Sequence, residues 1–199
     1  MISCIILAAG TSRRFGGLKQ VHRIRNVSFL EMILARLSSL KCDKEIIIGV
    51  GYKRETVVRE LKRINFTGKI VVNREYRKGQ LSTFQACLKS ADKGTRGVLM
   101  ILSDHPLVLS ATYKRLYRAF RLARSKNIII PVYHGQKGHP VMFPPEVFPD
   151  ILRSPREQGA RSVMKKYFQK VKLIPVKDQF ILADIDDKEM LKRYFKHIE

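Results

Sequence analysis

Ile2-Ser3-Cys4-Ile5-Ile6-Leu7 is an uninterrupted apolar run that breaks into Ala8-Ala9-Gly10-Thr11-Ser12-Arg13-Arg14-Phe15-Gly16-Gly17, with Lys19-Gln20 close behind. A strand, then a loop of small residues, then fixed cations is an arrangement that cradles phosphates. Small side chains let backbone N–H groups approach an anion, and Arg and Lys supply the compensating charge. The same residues also fit a plain strand-to-helix turn with solvated cations. Spacing narrows the choice. The loop is not Gly-x-Gly-x-x-Gly, and no Gly-Lys-Ser/Thr follows Gly10 at Walker A spacing, so hydride-transfer and P-loop kinase readings weaken. What remains is a nucleotide-phosphate loop with Arg14 and Lys19 as its cations.

Working outward, Ser28 through Leu40 carries Leu30, Ile33, Leu34, Leu37 and Leu40 at helical spacing, and Ser28 with Glu31 makes a capping box. Glu45–Val50 reads as a buried strand closing on Gly51, Val57, Val58 and Leu61 mark a short helix, and Lys69–Asn73 a third strand. Gly79–Ser90 predicts a helix, and Gly97–Leu102, the most apolar strand, ends on Ser103-Asp104-His105-Pro106. A basic amphipathic helix follows, with Tyr113, Leu116, Tyr117 and Phe120 on one face and Lys114, Arg115, Arg118, Arg121 and Arg124 on the other. Strand Asn127–Val132, a hairpin at Gly135–Gly138, strand Pro140–Phe143 and a short helix after Pro145 come next. Helix Gly159–Phe168, strand Val171–Val176 and a closing helix Asp187–Ile198 complete the chain.

Strands alternating with helices of this length predict an α/β fold: a doubly wound, Rossmann-like three-layer sandwich on a parallel sheet that turns mixed after residue 130. Ligands in such folds bind beyond the carboxyl ends of the strands. That rule gathers the loops after Leu7, Val50, Asn73 and Leu102 around one crevice.

The 199 residues suit one domain, 1–199. No apolar stretch reaches the length of a membrane span, and the N-terminus lacks the order of a signal peptide, so the expectation is a soluble, cytoplasmic protein with no membrane partner. Cys4, Cys42 and Cys87 are far apart and lack Cys-x-x-Cys spacing, which argues against a disulfide framework or zinc site and predicts small buried hydrophobes. Lys and Arg number 39 against 17 Asp and Glu, a formal net charge of +22. Such a field attracts polyanions of any kind, and a general basic bias of the surface would produce it equally well.

Asp104 directly follows an apolar strand, with Pro106 holding the backbone beyond it. A carboxylate there is aimed into the crevice, where a hard ion such as Mg2+ takes one or two carboxylates plus phosphate oxygens. It also fits an Asx turn or helix cap. In Asp184-Ile185-Asp186-Asp187, alternation puts Asp184 and Asp186 on one side, as a metal ligand and its neighbour, while Asp187 suits a helix N-cap. Caps and a solvated loop would account for the same residues. His105 and His139 lack a Cys or His partner at metal spacing, and no nucleophile signature argues for covalent catalysis.

Taken together, the pieces resemble a known family. Leu7 through Gln20 is similar to the opening signature of the MobA-like nucleotidyltransferases, in particular their molybdenum cofactor cytidylyltransferase branch. Further matches follow in order: Asn73-Arg74-Glu75-Tyr76 with Gly79-Gln80-Leu81-Ser82-Thr83, Leu102–Pro106, Pro131–Tyr133 through Gly138-His139-Pro140-Val141-Met142-Phe143, Gln158-Gly159-Ala160-Arg161, and Asp184-Ile185-Asp186. The resemblance runs almost end to end.

It implies a nucleotide-diphospho-sugar transferase-like fold and transfer of a nucleoside monophosphate onto a phosphorylated acceptor, a molybdopterin in the best-known members. By that resemblance, Leu7, Ala8, Ala9, Gly10, Thr11, Ser12, Arg13, Arg14 and Lys19 wrap the nucleotide, and Asn73, Gly79, Gln80, Ser82 and Thr83 line its base and ribose side. Gly138, His139, Pro140, Gly159 and Arg161 face the acceptor. Asp104 binds Mg2+ with Asp184 and Asp186 close by, and Arg14, Lys19 and Asp104 carry the catalysis. The Leu-Ala-Ala-Gly form is closer to the CTP-using branch than to the GTP-using one. Leu81 stands where a small hydroxyl residue is usual, and His105 where another polar residue is. A sugar- or polyol-phosphate nucleotidyltransferase would share the loop and the aspartate. A nucleic-acid-binding protein using the Lys114–Arg124 face is the reading outside enzymology, but interleaved exposed aromatics and a known binding motif are both missing.

Overall fold

β1 (Ile2–Ala8) is buried along its whole length, and its alternation feeds two cores. Ile2, Cys4, Ile6 and Ala8 face one, while Ile5 and Leu7 face the other. A strand apolar on both faces belongs in the middle of a covered parallel sheet, and β1 is there. The computed structural model describes residues 1–155 and 161–195, apart from the side chains at 161 and 162.

After β1 the chain makes 3₁₀ turns at Arg13–Phe15 and Lys19–Val21, then a small hairpin of β2 (Arg23–Ile24) and β3 (Val27–Ser28). α1 (Phe29–Ser38) begins on the predicted capping box: Ser28 Oγ accepts from Glu31 N at 3.3 Å, and Glu31 Oε2 accepts from Ser28 N at 3.4 Å. There follow β4 (Lys44–Val50), α2 (Arg54–Arg63), β5 (Lys69–Val72), α3 (Gln80–Lys89), β6 (Val98–Leu102), α4 (Ser110–Leu122) and β7 (Ile128–Tyr133). β8 (Gln136–Lys137), β9 (Val141–Phe143), α5 (Phe148–Arg153), α6 (Arg161–Lys166), β10 (Val171–Pro175) and α7 (Lys188–Phe195) complete the order.

The sheet runs β10-β7-β9-β6-β1-β4-β5, with β8 paired to β7. β5, β4, β1 and β6 are mutually parallel, and β10 runs parallel to β7. β9 is antiparallel to both β6 and β7, so the sheet becomes mixed where the alternation of strand and helix lapses. α1, α2 and α4 cover one face, and α3 and α5 the other. This is the doubly wound three-layer sandwich expected.

α3 lies unusually close to the sheet. A Cβ at Gly49 would meet Thr83 Cγ2 at 2.5 Å and Cys87 Sγ at 2.7 Å, so only glycine lets this helix settle onto β4 and bring its N-terminus to the strand ends. Cys4 and Cys87 are buried, and burial pushes both thiols up to about 12, so they behave as inert core atoms. Cys42 departs from that expectation, being only half-buried at the end of the α1–β4 turn.

The segment behind Lys19 is tied down by charge. Glu60 of α2, itself 6% exposed, accepts from Arg23 Nη2 at 2.7 Å and from Arg63 Nε and Nη2 at 3.0 and 2.9 Å. Arg63, despite some opposing desolvation, and then Arg23 hold the Glu60 carboxyl down to about 2 from an ordinary 4.5. A carboxyl held that low contributes up to about 3 kcal/mol at neutral pH, and the half-exposed guanidiniums reduce this to about 2. Because the folded pKa is the lower one, the contribution is full above 4.5 and disappears as pH falls from 4.5 to 2. Glu60→Gln is therefore expected to lose about 2 kcal/mol in urea unfolding at pH 7. The gap to wild type should close as the pH is lowered, and a gap of equal size at pH 3 would show that charge is not its source.

Candidate active site

Three loops at the carboxyl ends of β1, β5 and β6 enclose a crevice of about 380 Å3. Its lining includes Gly10, Thr11, Arg13 and Lys19 from the first loop, Tyr76, Arg77, Gly79, Gln80 and Thr83 around the start of α3, and Ser103 and Asp104 from the third. The loop after β4 lines an adjoining groove of about 370 Å3 with Tyr52 and Lys53, which shares Thr11, Arg13, Tyr76 and Arg77 with the crevice. The four predicted loops thus meet.

Gln20 holds the first loop in shape. Its buried amide donates to Gly10 O at 3.0 Å and Ala8 O at 3.4 Å, and its Oε1 accepts from Ser12 Oγ at 3.3 Å. Ser12 Oγ in turn accepts from Lys19 N at 3.3 Å. These bonds turn the loop carbonyls inward to Gln20. Ser12 has φ +50°, Gly16 +71° and Gly79 +97°, so the chain reverses direction at both edges of the crevice.

The acidic half is built from two distant segments. Asp178, buried, accepts from Leu109 N at 2.8 Å and Thr112 Oγ1 at 2.6 Å, which fastens the late loop to the start of α4. Ile185 N donates to Asp104 O at 3.0 Å, while its side chain packs with Phe15, Phe29, Leu107 and Leu191. With Ile185 anchored inward, Asp184 and Asp186 flank it toward Lys19. Asp187 caps α7, accepting from Met190 N at 2.7 Å.

Lys19, 7% exposed, is the hub. Its Nζ lies 3.0 Å from Asp104 Oδ2, 2.8 Å from Asp186 Oδ1 and 3.6 Å from Asp184 Oδ1. Burial alone would raise the Asp104 carboxyl; the positive charge of Lys19, helped by His105, overrides it and holds Asp104 below the usual range. Burial and then the Asp104 charge push Asp184 the other way. Asp104 Oδ1, Asp184 Oδ1 and His105 Nδ1 are buried without a hydrogen-bond partner. One donor atom each from Asp104, His105 and Asp184 lie within 4.8 Å of one another. Unpaired buried oxygens converging this way fit a divalent cation. Asp186 stands outside that group: Lys19 takes its Oδ1 and Arg14 its Oδ2.

The other expected residues divide. Leu7, Ala9, Gly10, Thr11, Arg13, Lys19, Gly79, Gln80, Thr83 and Asp104 line the crevice. Arg14 does not, because its side chain, 75% exposed, turns to Asp186; Arg13 occupies the wall instead. Asn73 and Ser82 are buried and satisfied internally, with Asn73 Nδ2 donating to Ser82 Oγ at 2.8 Å and Thr83 Oγ1 at 2.9 Å, and Ser82 Oγ donating to Gly79 O at 2.7 Å. They shape the turn that presents Gly79 and Gln80. Ala8 is buried in β1, and Leu81 faces the core rather than the crevice.

Gly138 and His139 line an apolar groove of about 680 Å3 with Ile130, Val141, Phe168 and Leu173, edged by Lys137 and Lys165. Pro140 is buried beside them. Arg161 opens α6; its side chain and Gly159 lie outside the described residues. The rings of His139 and His105 are 5.3 Å apart, so the groove residue His139 packs against the neighbour of the crevice residue Asp104. Local spacing does not show this pairing, because β9 and the loop after β6 meet only through the antiparallel turn of the sheet. Tyr76, which the sequence marks only as part of the family motif, and Arg77 also line the crevice, and nothing local marks their 3₁₀ turn as a wall. Among the described residues, no helix is long and apolar enough to cross a membrane.

Comparison with known proteins gives the arrangement its context. Residues 4–171 match the MobA-like NTP transferase domain. The chain is similar to the molybdenum cofactor cytidylyltransferase of Escherichia coli (strain K12), 23% identical over 188 residues that cover 93% of this chain and 91% of that protein. The crystal structure of Rv0371c from Mycobacterium tuberculosis H37Rv superposes with a TM-score of 0.80 at 24% identity, covering 96% of this chain and 95% of that one. Its complex with manganese superposes with a TM-score of 0.77 at 23% identity, covering 96% of each. With the family's domain matching most of the sequence, and the crevice where such folds bind ligands, the chain belongs to the MobA-like NTP transferase family and is a nucleotidyltransferase.

Proposed function

We propose that residues 1–199 form one Mg2+-dependent nucleotidyltransferase domain that moves CMP from CTP onto a phosphorylated acceptor of the molybdopterin class and releases pyrophosphate. The observation that carries this reading is the crevice itself, with a small-residue loop and cations on one wall and Asp104 on the other, backed by Asp184. The similarity to a molybdenum cofactor cytidylyltransferase supports the acceptor class and the choice of CTP, as does the Leu7-Ala8-Ala9-Gly10 form of the loop.

In this reading, the loop of Ala9, Gly10 and Thr11 receives the triphosphate, and Lys19 and Arg13 offset its charge. Gly79, Gln80 and Thr83 bound the nucleoside, with Tyr76 offering an aromatic edge. The acceptor enters along the groove of Gly138 and His139, whose lysines suit a phosphate and whose apolar wall suits a flat ring system. Its phosphate oxygen attacks the α-phosphorus in line. That oxygen is already anionic at neutral pH, so no side chain has to remove a proton, and positioning with charge neutralisation carries the reaction. His139 lends no charge to the acceptor, because burial and then His105 push it down to about 4. Asp104 and Asp184 would hold a divalent cation, which would supply further neutralisation of the phosphate charge.

A pyrophosphate-release assay that crosses CTP, GTP, ATP and UTP with molybdopterin and a panel of sugar phosphates tests this. CTP with molybdopterin is expected to give pyrophosphate and a cytidylylated product in equal amounts. Release only with another pair would reassign the substrates, and release with none would overturn the reading.

A further inference from the structure

We propose that His105 is a metal ligand, completing with Asp104 and Asp184 a mixed nitrogen–oxygen site that accepts Mg2+ for the reaction but binds a borderline transition-metal dication, of the Co2+ or Zn2+ kind, more tightly. The proposal rests on reading the crevice as a metal-assisted transferase site and concerns a position where this chain departs from the family's motif.

The two oxygens of Asp104 face different neighbours. Oδ2 takes the Lys19 ammonium at 3.0 Å, whereas Oδ1 lies 3.8 Å from His105 Nε2 and has no hydrogen-bond partner. Asp184 Oδ1 is likewise buried without a hydrogen bond, its nearest charge being the Lys19 ammonium at 3.6 Å, and one ligand atom each of Asp104, His105 and Asp184 lies within 4.8 Å of the others. Ligand atoms that share one ion at about 2.0–2.2 Å lie about 3–3.6 Å apart at octahedral or tetrahedral angles. The His105–Asp104 spacing of 3.8 Å is close to this, and the widest spacing the cluster allows, 4.8 Å, has to close by about an ångström as an ion enters.

His105 is 5% exposed and cannot satisfy itself from bulk water. His139 packs at its ring without a hydrogen bond between them, and its own Nδ1 is bare as well. The imidazole thus turns Nε2 toward Asp104, while its Nδ1 has no hydrogen-bond partner in the protein. Charge agrees: three carboxylates face Lys19 and Arg14, leaving one formal negative charge for a dication to overcompensate before a polyanionic nucleotide arrives.

Ligand chemistry then decides the ion. Mg2+ demands oxygen donors in near-ideal octahedral geometry and sheds water reluctantly. Imidazole suits Zn2+ and its neighbours, and affinity at such mixed sites rises from Mn2+ through Co2+. Replacing one oxygen position by His105 shifts the site along that series.

Metal alone, without nucleotide, is the probe. Titration of the full chain with Co2+, followed by calorimetry and visible absorption, is expected to give one site at least tenfold tighter than Mg2+. His105→Asn should weaken Co2+ at least tenfold and leave Mg2+ within twofold, with an unchanged circular dichroism spectrum. Where that variant does not fold, proton NMR of Co2+-loaded wild type reads the same point, through a hyperfine-shifted, exchangeable imidazole N–H. Equal Co2+ affinity in His105→Asn, no preference for Co2+ over Mg2+, or no shifted imidazole proton overturns the proposal. The outcomes separate from the function: pyrophosphate release with Mg2+ and His105-independent Co2+ binding would remove only the ligand assignment. His105-dependent Co2+ binding without any nucleotidyl transfer would remove only the function.

Discussion

Asp104→Ala is expected to lower turnover about a thousandfold or more while the protein remains folded. The size follows from charge. A dication on the phosphate oxygens is worth several kcal/mol in the transition state, and each 1.4 kcal/mol is about tenfold in rate. Asp104 carries one of the bare oxygens of the cluster and sits on the crevice wall, so its loss removes both a ligand and a fixed charge. The fold survives because Lys19 keeps Asp186 at 2.8 Å and Asp184 at 3.6 Å, and because the backbone bond from Ile185 N to Asp104 O needs no side chain. The check is a single-turnover pyrophosphate assay beside a thermal melt. Near-normal turnover in the presence of the metal would remove Asp104 from the reaction, and a collapsed melting curve would show a structural role instead.

How far the sequence alone leads can be judged at particular positions. β1, β4 and β6 are legible because a parallel strand covered on both sides must be apolar throughout, and α1 because Ser28 and Glu31 write its cap locally. The switch to a mixed sheet is legible where strands follow one another without a crossover helix. Asp104 is legible because a carboxylate at the end of an apolar strand has nowhere to go but the crevice. By contrast, the division of labour within motifs depends on contacts far apart in the chain. Arg14 and Arg13 are adjacent, yet one is drawn outward by Asp186 and the other lines the wall. Asn73 and Ser82 sit in a motif that resembles a binding turn, and their polar groups are consumed within it. The approach of His139 to His105 depends on β9 inserting antiparallel beside β6, a register that no local pattern encodes.

Lys19→Met should abolish turnover and also destabilise the protein at neutral pH, by a gap to wild type that, like that of Glu60→Gln, closes as the pH is lowered. Lys19 is the buried cation among Asp104, Asp184 and Asp186, and removing one member of a buried charge cluster typically costs about 3–5 kcal/mol, since the remaining charges lose their compensation. Arg14 still meets Asp186, so the uncompensated pair is Asp104 and Asp184. Without the ammonium, burial and the repulsion of Asp184 outweigh the remaining help from His105, and the folded-state pKa of Asp104 rises above the unfolded value. A carboxyl with a raised folded pKa contributes most below the unfolded pKa, and that contribution is lost as pH rises. The variant should therefore gain stability relative to wild type as pH is lowered from 7 toward 4, read by urea unfolding at each pH. A divalent cation added at pH 7 should restore part of the loss, because it occupies the space between the same oxygens. A variant as stable as wild type at pH 7, or one indifferent to both acid and metal, would mean that the three carboxylates are solvated and that Lys19 does not organise the site.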